Sequence, residues 1–178
     1  SLPVAGVSEV GSSKLCNENP IGRVHQSCIR GKWQQPCNNC WKCFRKSTLA
    51  AALDKESLPK QSIEMTLNSK EVRMRLLLDK PIKHEGVLAY SLQRAEGGGE
   101  IADSLRSLTR SKTLKTDWME RWYSPSSELI DKSYRDFTMS KLSSLLGEMS
   151  NEQINALERW ENIHDESRER RLQHLNGI

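Results

Sequence analysis

Between Ser27 and Lys46 the chain reads SCIRGKWQQPCNNCWKCFRK, and four of its five cysteines fall in this stretch at the spacing C-x8-C-x2-C-x2-C. Thiolates two residues apart face one ion when the backbone turns tightly, so each C-x2-C pair is half of a metal site. Cys37, Cys40 and Cys43 form two overlapping pairs, and Cys28 lies across a loop that carries the turn residues Gly31 and Pro36. Four thiolates complete the tetrahedral shell of zinc and leave no position for water, which makes such a site structural rather than catalytic. The spacing therefore predicts a four-cysteine zinc knuckle with Cys28, Cys37, Cys40 and Cys43 as ligands. Disulfides, or thiols buried for unrelated reasons, are the competing readings. His25, three residues before Cys28, is a spare ligand that a complete thiolate set does not need. Cys16 lies outside the cluster and reads as an ordinary buried thiol.

An odd, clustered set of cysteines is unlike a secreted disulfide scaffold. The sequence shows no signal-peptide pattern and no apolar run near about 18 residues. A reducing cytoplasm, away from membranes, is the expected setting. A net charge of +4 permits an anionic partner without demanding one.

Periodicity makes the chain mainly α. Ser1 to Val7 (SLPVAGV) is the exception, because its length and residue types favour a buried strand. One strand has no sheet, and no later segment supplies partners, so it is expected to end a sheet built elsewhere. Ser8 is placed to cap a short helix reaching Cys16, and Asn17 to Gln26 is a loop into the knuckle. Trp33 and Trp41 flank the site and are expected to cover it. A helix should start inside the knuckle and run through Phe44, Thr48, Ala51 and Ala52 to Leu53, closing at Glu56 to Lys60 with Pro59.

Asn68 with Glu71 has the form of a capping box opening SKEVRMRLLLDK, which Pro81 ends. The next helix, His84 to Ala95, should bury Leu88 and Leu92 and expose Arg94. Gly97 to Gly99 reads as a flexible linker, since no strand precedes it and no Lys-Ser/Thr follows in register. Ile101, Leu105 and Leu108 share a face. Trp118 and Trp122 form a core stripe, and Tyr134, Phe137, Leu142, Leu145 and Leu146 an apolar face. Ser150 with Gln153 is a second capping box, for a last helix through Ile154, Leu157 and Trp160. It decays into DESRERRLQH, whose alternating charges mark a solvated face. His164 and His174 are ten residues apart and make no metal pair. Three segments result: 1–58 with the knuckle at 28–43, 59–96, and 100–178. No nucleophile elbow, Walker loop, dinucleotide fingerprint or histidine-zinc protease motif is present.

The first fifty residues resemble the C-terminal part of 7-cyano-7-deazaguanine synthases, the QueC family of PP-loop ATP pyrophosphatases. The knuckle, preceded by Ser27, and the approach LPVAGVSEVGSSKL carry the likeness. The resemblance implies the end of a PP-loop (HUP-type α/β) domain, its terminal strand followed by the knuckle and then by a helical C-terminal region. It implies a structural zinc near an active site, and an enzyme that uses ATP to adenylylate a deazaguanine carboxylate before ammonia yields the amide and then the nitrile. Ser8, Glu9 and Lys14 would border the nucleotide or substrate cleft. The family's Ser-Gly-Gly loop does not occur here, and Lys46 stands where the family's basic residue is usually arginine. The ATP loop is therefore expected on a preceding half or a partner protein. The long tail points to a specialised relative, of the kind that occurs in anti-phage operons.

Two readings compete with this ligase-like enzyme. One is a non-catalytic zinc module that binds nucleic acid, with Arg23, Arg30, Lys32, Lys42, Arg45 and Lys46 around the metal and Trp33 or Trp41 stacking on bases. The other is an adaptor whose helical tail is the working surface.

Overall fold

The computed structural model describes residues 2, 4–20, 22, 27–79 and 82–159. Arg23, His25, Pro81, Trp160, His164, His174 and the DESRERRLQH run lie outside them. The described residues are mainly helical and divide into two compact units, Glu9–Met119 and the set formed by residues before Glu9 with those from Glu120 onward. The expected boundaries near 58 and 96–100 both fall inside the first unit.

The first unit is built around a helix that is apolar over most of its circumference. In α5 (Glu85–Arg94) every residue from Val87 to Leu92 is buried. A helix without a polar face belongs inside a bundle. Ser91 fits there because its hydroxyl donates to the Val87 carbonyl at 2.8 Å. The main partner of α5 is α2 (Trp41–Leu53), which turns Phe44, Thr48, Leu49, Ala51 and Ala52 inward. α1 (Glu9–Glu18), α3 (Lys60–Asn68) and α4 (Lys70–Leu78) pack around α2, and α6 (Gly99–Leu108) covers α5 with Ala102 and Leu105.

Three expectations change in this unit. Pro59 starts α3 instead of closing α2: it takes the N-cap position with φ −62°, a value its ring already imposes. Arg94 is not a plain surface residue, since its guanidinium lies 3.9 Å from the Tyr90 ring centroid and 3.0 Å from Asp117. Gly97–Gly99 is no linker. All three glycines have positive φ, and a Cβ on Gly98 would come within 2.6 Å of Ala102. Beside them, the amide of Leu58 donates to the Glu96 carbonyl at 2.9 Å and locks the turn.

In the second unit Trp122 is fully buried and backbone-anchored. Its amide donates to Gly147 O at 2.9 Å, its carbonyl accepts from Met149 at 3.0 Å, and its indole donates to Ala5 O at 3.0 Å. The expected strand at 1–7 is not there: Val4–Gly6 is a turn, and only Val7 makes an isolated bridge, to Trp122. Leu2 and Val4 are exposed, so the run does not have the burial a core strand requires. Among the described residues there is no sheet. Ser124–Leu129 is a 3-10 turn, followed by α7 (Arg135–Leu146) and α8 (Asn151–Glu158). The Ser150–Gln153 capping box is present with both reciprocal bonds, at 3.0 and 3.2 Å. On α7 only Leu142 and Leu146 are buried; Tyr134, Phe137 and Leu145 are exposed. The Trp118–Trp122 stripe is also broken: Asp117–Glu120 is a 3-10 turn, and the two indoles belong to different units.

Candidate metal centre

The four cysteines converge. The sulfurs of Cys28, Cys37, Cys40 and Cys43 all lie within 4.8 Å of one another, and Cys37 and Cys43 approach to 3.7 Å. Four thiolates at that separation form a donor set able to hold one metal ion. None of the cysteines is in a disulfide, and Cys16 stands apart from the cluster.

Local sequence explains the convergence. Cys40 is the N-cap of α2, with extended backbone (φ −130°, ψ 161°), and its sulfur accepts from the amide of Cys43 at 3.5 Å. The cap position orients one ligand, and the first turn of the helix presents the other beside it. Cys28 reaches the group through a tight loop. Lys32 and Gln35 exchange backbone hydrogen bonds at 3.0 and 2.9 Å, and a Cβ on Gly31 would sit 2.2 Å from the Gln35 carbonyl oxygen. The loop returns to Cys37, whose amide donates to the Cys28 sulfur at 3.4 Å.

That amide, more than any other neighbour, holds the Cys28 thiol down at about 6. Burial pushes the Cys43 thiol up. At Cys37 the Asn39 amide pulls downward, but burial and the neighbouring thiols outweigh it and leave the thiol raised. Four thiols this close cannot all ionise without a cation among them, so metal loading must release protons.

Outside the sulfurs, α4 clasps the knuckle. Glu71 accepts from the Arg30 guanidinium and from the amide of Trp41 at 3.4 Å. Ser69 caps α4, accepting from Val72 at 3.3 Å while its hydroxyl donates to Asn39 O at 3.2 Å. The capping residue is therefore Ser69, not Asn68, which ends α3. Glu71 serves the metal loop rather than its own helix. Arg30 holds the Glu71 carboxyl below the usual carboxylate range. A lowered folded-state value means that the clasp contributes fully above the ordinary carboxylate range and is lost as pH falls below that range and through the lowered value. Glu71→Ala should destabilise the unit by about 1–2 kcal/mol, the discount reflecting an exposed arginine partner. Denaturant melts at pH 7 and at pH 3 check this, with the difference between variant and parent shrinking in acid.

On the other side, Glu9 of α1 bonds both Arg45 and Lys46 at 3.0 Å, and Lys46 also donates to Ser13 at 3.1 Å. Glu9 thus faces the helix of the metal site. Neither Lys14 nor Ser8 lines the cleft beside the cysteines, and Ser8 belongs to the other unit. The residues of α1 that do line it are Ser13 and Asn17. Trp41 is buried against Phe44, ring centroids 5.7 Å apart, and covers the site as expected; Trp33, 63 % exposed at the loop tip, does not.

No curated protein and no solved structure matches the chain. A family profile matches residues 1–161, which include every described residue. The chain with this metal-ready helical unit belongs to that family, the one described as a family of unknown function (DUF6395).

Proposed function

We propose that Cys28, Cys37, Cys40 and Cys43 bind one zinc ion and that the ion is a structural brace for the unit Glu9–Met119. The observation that carries this reading is the convergence of four sulfurs, one of them also the N-cap of the helix that packs on α5. Soft thiolates favour zinc over hard cations, and a full shell leaves the ion nothing to activate. Between Ser27 and Leu53 there are five basic residues and no acidic one. Four thiolates around a divalent ion carry a formal excess of about two negative charges, which such a field offsets. This accounts for the local basic character without nucleic acid: Arg30 is engaged with Glu71, and Arg45 and Lys46 with Glu9. The stacking alternative also loses Trp41, which is buried. Elemental analysis should find one zinc per chain, and chelation should lower the helical circular dichroism. A metal-free protein of unchanged helicity would reject the brace.

A second reading sets the brace in an ATP-dependent enzyme of the deazaguanine-synthase kind. It is supported by the cysteine spacing and by the packing of α1, which contains most of SEVGSSKL, against the helix of the knuckle. On this reading a preceding half or a partner protein brings the nucleotide loop. ATP would then activate a deazaguanine carboxylate for amide or nitrile formation, or for protein modification in phage defence. Pyrophosphate release that requires ATP, the carboxylate and the partner together tests it; none from the assembled complex rejects it.

A further inference from the structure

We infer that α4 and the tip of the cysteine loop form a surface that lies on an anionic lipid interface. The inference goes beyond the brace and does not depend on which ion the cysteines hold.

α4 is apolar on two sides, and the core uses one of them. Val72 and Leu76 are buried, whereas Met74, Leu77 and Leu78 are exposed. Single exposed apolar side chains are ordinary; a contiguous set marks a surface that something covers. Residues three and four apart share a helix face. Met74 and Leu78 follow Glu71 at three and seven positions, and Leu77 follows Met74 at three. Glu71 is the residue that Arg30 grips, so the stripe begins where the cysteine loop touches the helix. That loop adds Ile29, 90 % exposed beside buried Cys28, and Trp33, exposed in the turn between Lys32 and Gln35. Holding an ion requires the sulfurs and the tight turn, and neither Ile29 nor Trp33 serves them.

Charge selects the occupant. The carboxylates of this face are already paired, Glu71 with Arg30 and Asp79 with Arg75 at 3.0 Å. The other charges of α4 are basic: Lys70 is exposed one turn before Met74, and Arg73 one turn before Leu77. A helix face that interleaves long apolar and basic side chains suits the boundary between lipid headgroups and acyl chains. An indole is also at home at that boundary. A partner protein would enclose such side chains in a groove, whereas lipid accepts a helix face and a loop tip lying flat on it. The cleft beside the cysteines is separate, since no residue of α4, and neither Ile29 nor Trp33, lines it. Attachment at a surface needs no spanning helix, and none among the described residues is long and apolar enough to cross a membrane.

The metal-loaded full chain is sedimented with vesicles of phosphatidylcholine alone and with vesicles containing about 30 % anionic phosphatidylserine. Partition should favour the anionic vesicles by at least about tenfold, and should fall steeply as salt rises from about 0.1 to about 1 M. Charge alone attracts many basic proteins, so the apolar stripe has its own readout. Leu77→Ser combined with Leu78→Ser should weaken binding by about tenfold, and Lys70→Glu combined with Arg73→Glu by at least as much. Lipids brominated in their acyl chains should quench tryptophan emission. Trp33→Phe, which keeps an aromatic anchor, should still bind but lose that quenching. Metal content and circular dichroism of each variant separate a lost surface from a lost fold; if the helix variants misfold, Trp33→Phe at the exposed loop tip decides. Binding to neither vesicle, equal binding to both, full binding without the two leucines, or quenching unchanged in Trp33→Phe overturns the inference. Capture of polyglutamate or of a single-stranded oligonucleotide, with no capture of vesicles, also overturns it and gives the face to a protein or a nucleic acid.

Discussion

Cys40→Ser is expected to have the largest effect of any single substitution in this chain. On the proposed ligand set it removes one of the four sulfurs and, at the same position, the group that accepts from the Cys43 amide at the start of α2. A serine hydroxyl can still cap a helix, so the capping loss is small. The loss of metal is not small. In small zinc-folded peptides the ion supplies roughly 10–16 kcal/mol of apparent folding free energy, and even a fraction of that exceeds a typical core truncation. The variant should therefore contain no stoichiometric zinc, melt well below the parent, and have lost helicity in α2. Because α2 packs on α5, the damage should spread through Glu9–Met119 rather than stay in the loop. Cys16→Ser is the control, since Cys16 is outside the cluster; its metal content and melting should match the parent. Metal retained by Cys40→Ser at an unchanged melting temperature would show that the ligand set is wrong.

The second large effect is expected at Phe44. Its ring is fully buried at the junction of the metal site and the helical core, against Trp41. Phe44→Ala should cost about 3–5 kcal/mol through lost burial and the cavity left behind. Phe137→Ala should cost almost nothing, because that ring is 69 % exposed on α7. The pair separates two phenylalanines that hydrophobic patterning treats alike. Urea denaturation curves of both variants measure the difference; similar losses would mean that α7 is covered as closely as α2.

What the sequence made legible was local. The convergence of the four cysteines is legible from their spacing, because C-x2-C geometry is decided within a few residues. The Ser150–Gln153 box is likewise a matter of three residues. The errors lie where a distant partner decides. SLPVAGV has the composition of a strand, but Ala5 is held by the indole of Trp122, 117 residues away. Asn68–Glu71 matched a capping pattern, yet Glu71 is drawn to Arg30 and Trp41, 41 and 30 residues back, which leaves Ser69 as the cap. The glycine triplet looked like a linker because sequence does not reveal that all three residues take positive φ in a fixed turn. In the sequence Lys46 reads only as one of the basic residues around the cysteines. Its place in the cleft depends on α1 lying against α2, a tertiary fact.

The central claim is that four sulfurs close the shell of one zinc ion and leave it no open position. X-ray absorption at the zinc edge of the purified chain measures this directly. The account predicts a single shell of four sulfurs at about 2.3 Å and no nitrogen or oxygen ligand. A shell containing a light-atom ligand, or fewer than four sulfurs, would contradict it and turn a structural brace into an open, reactive metal site.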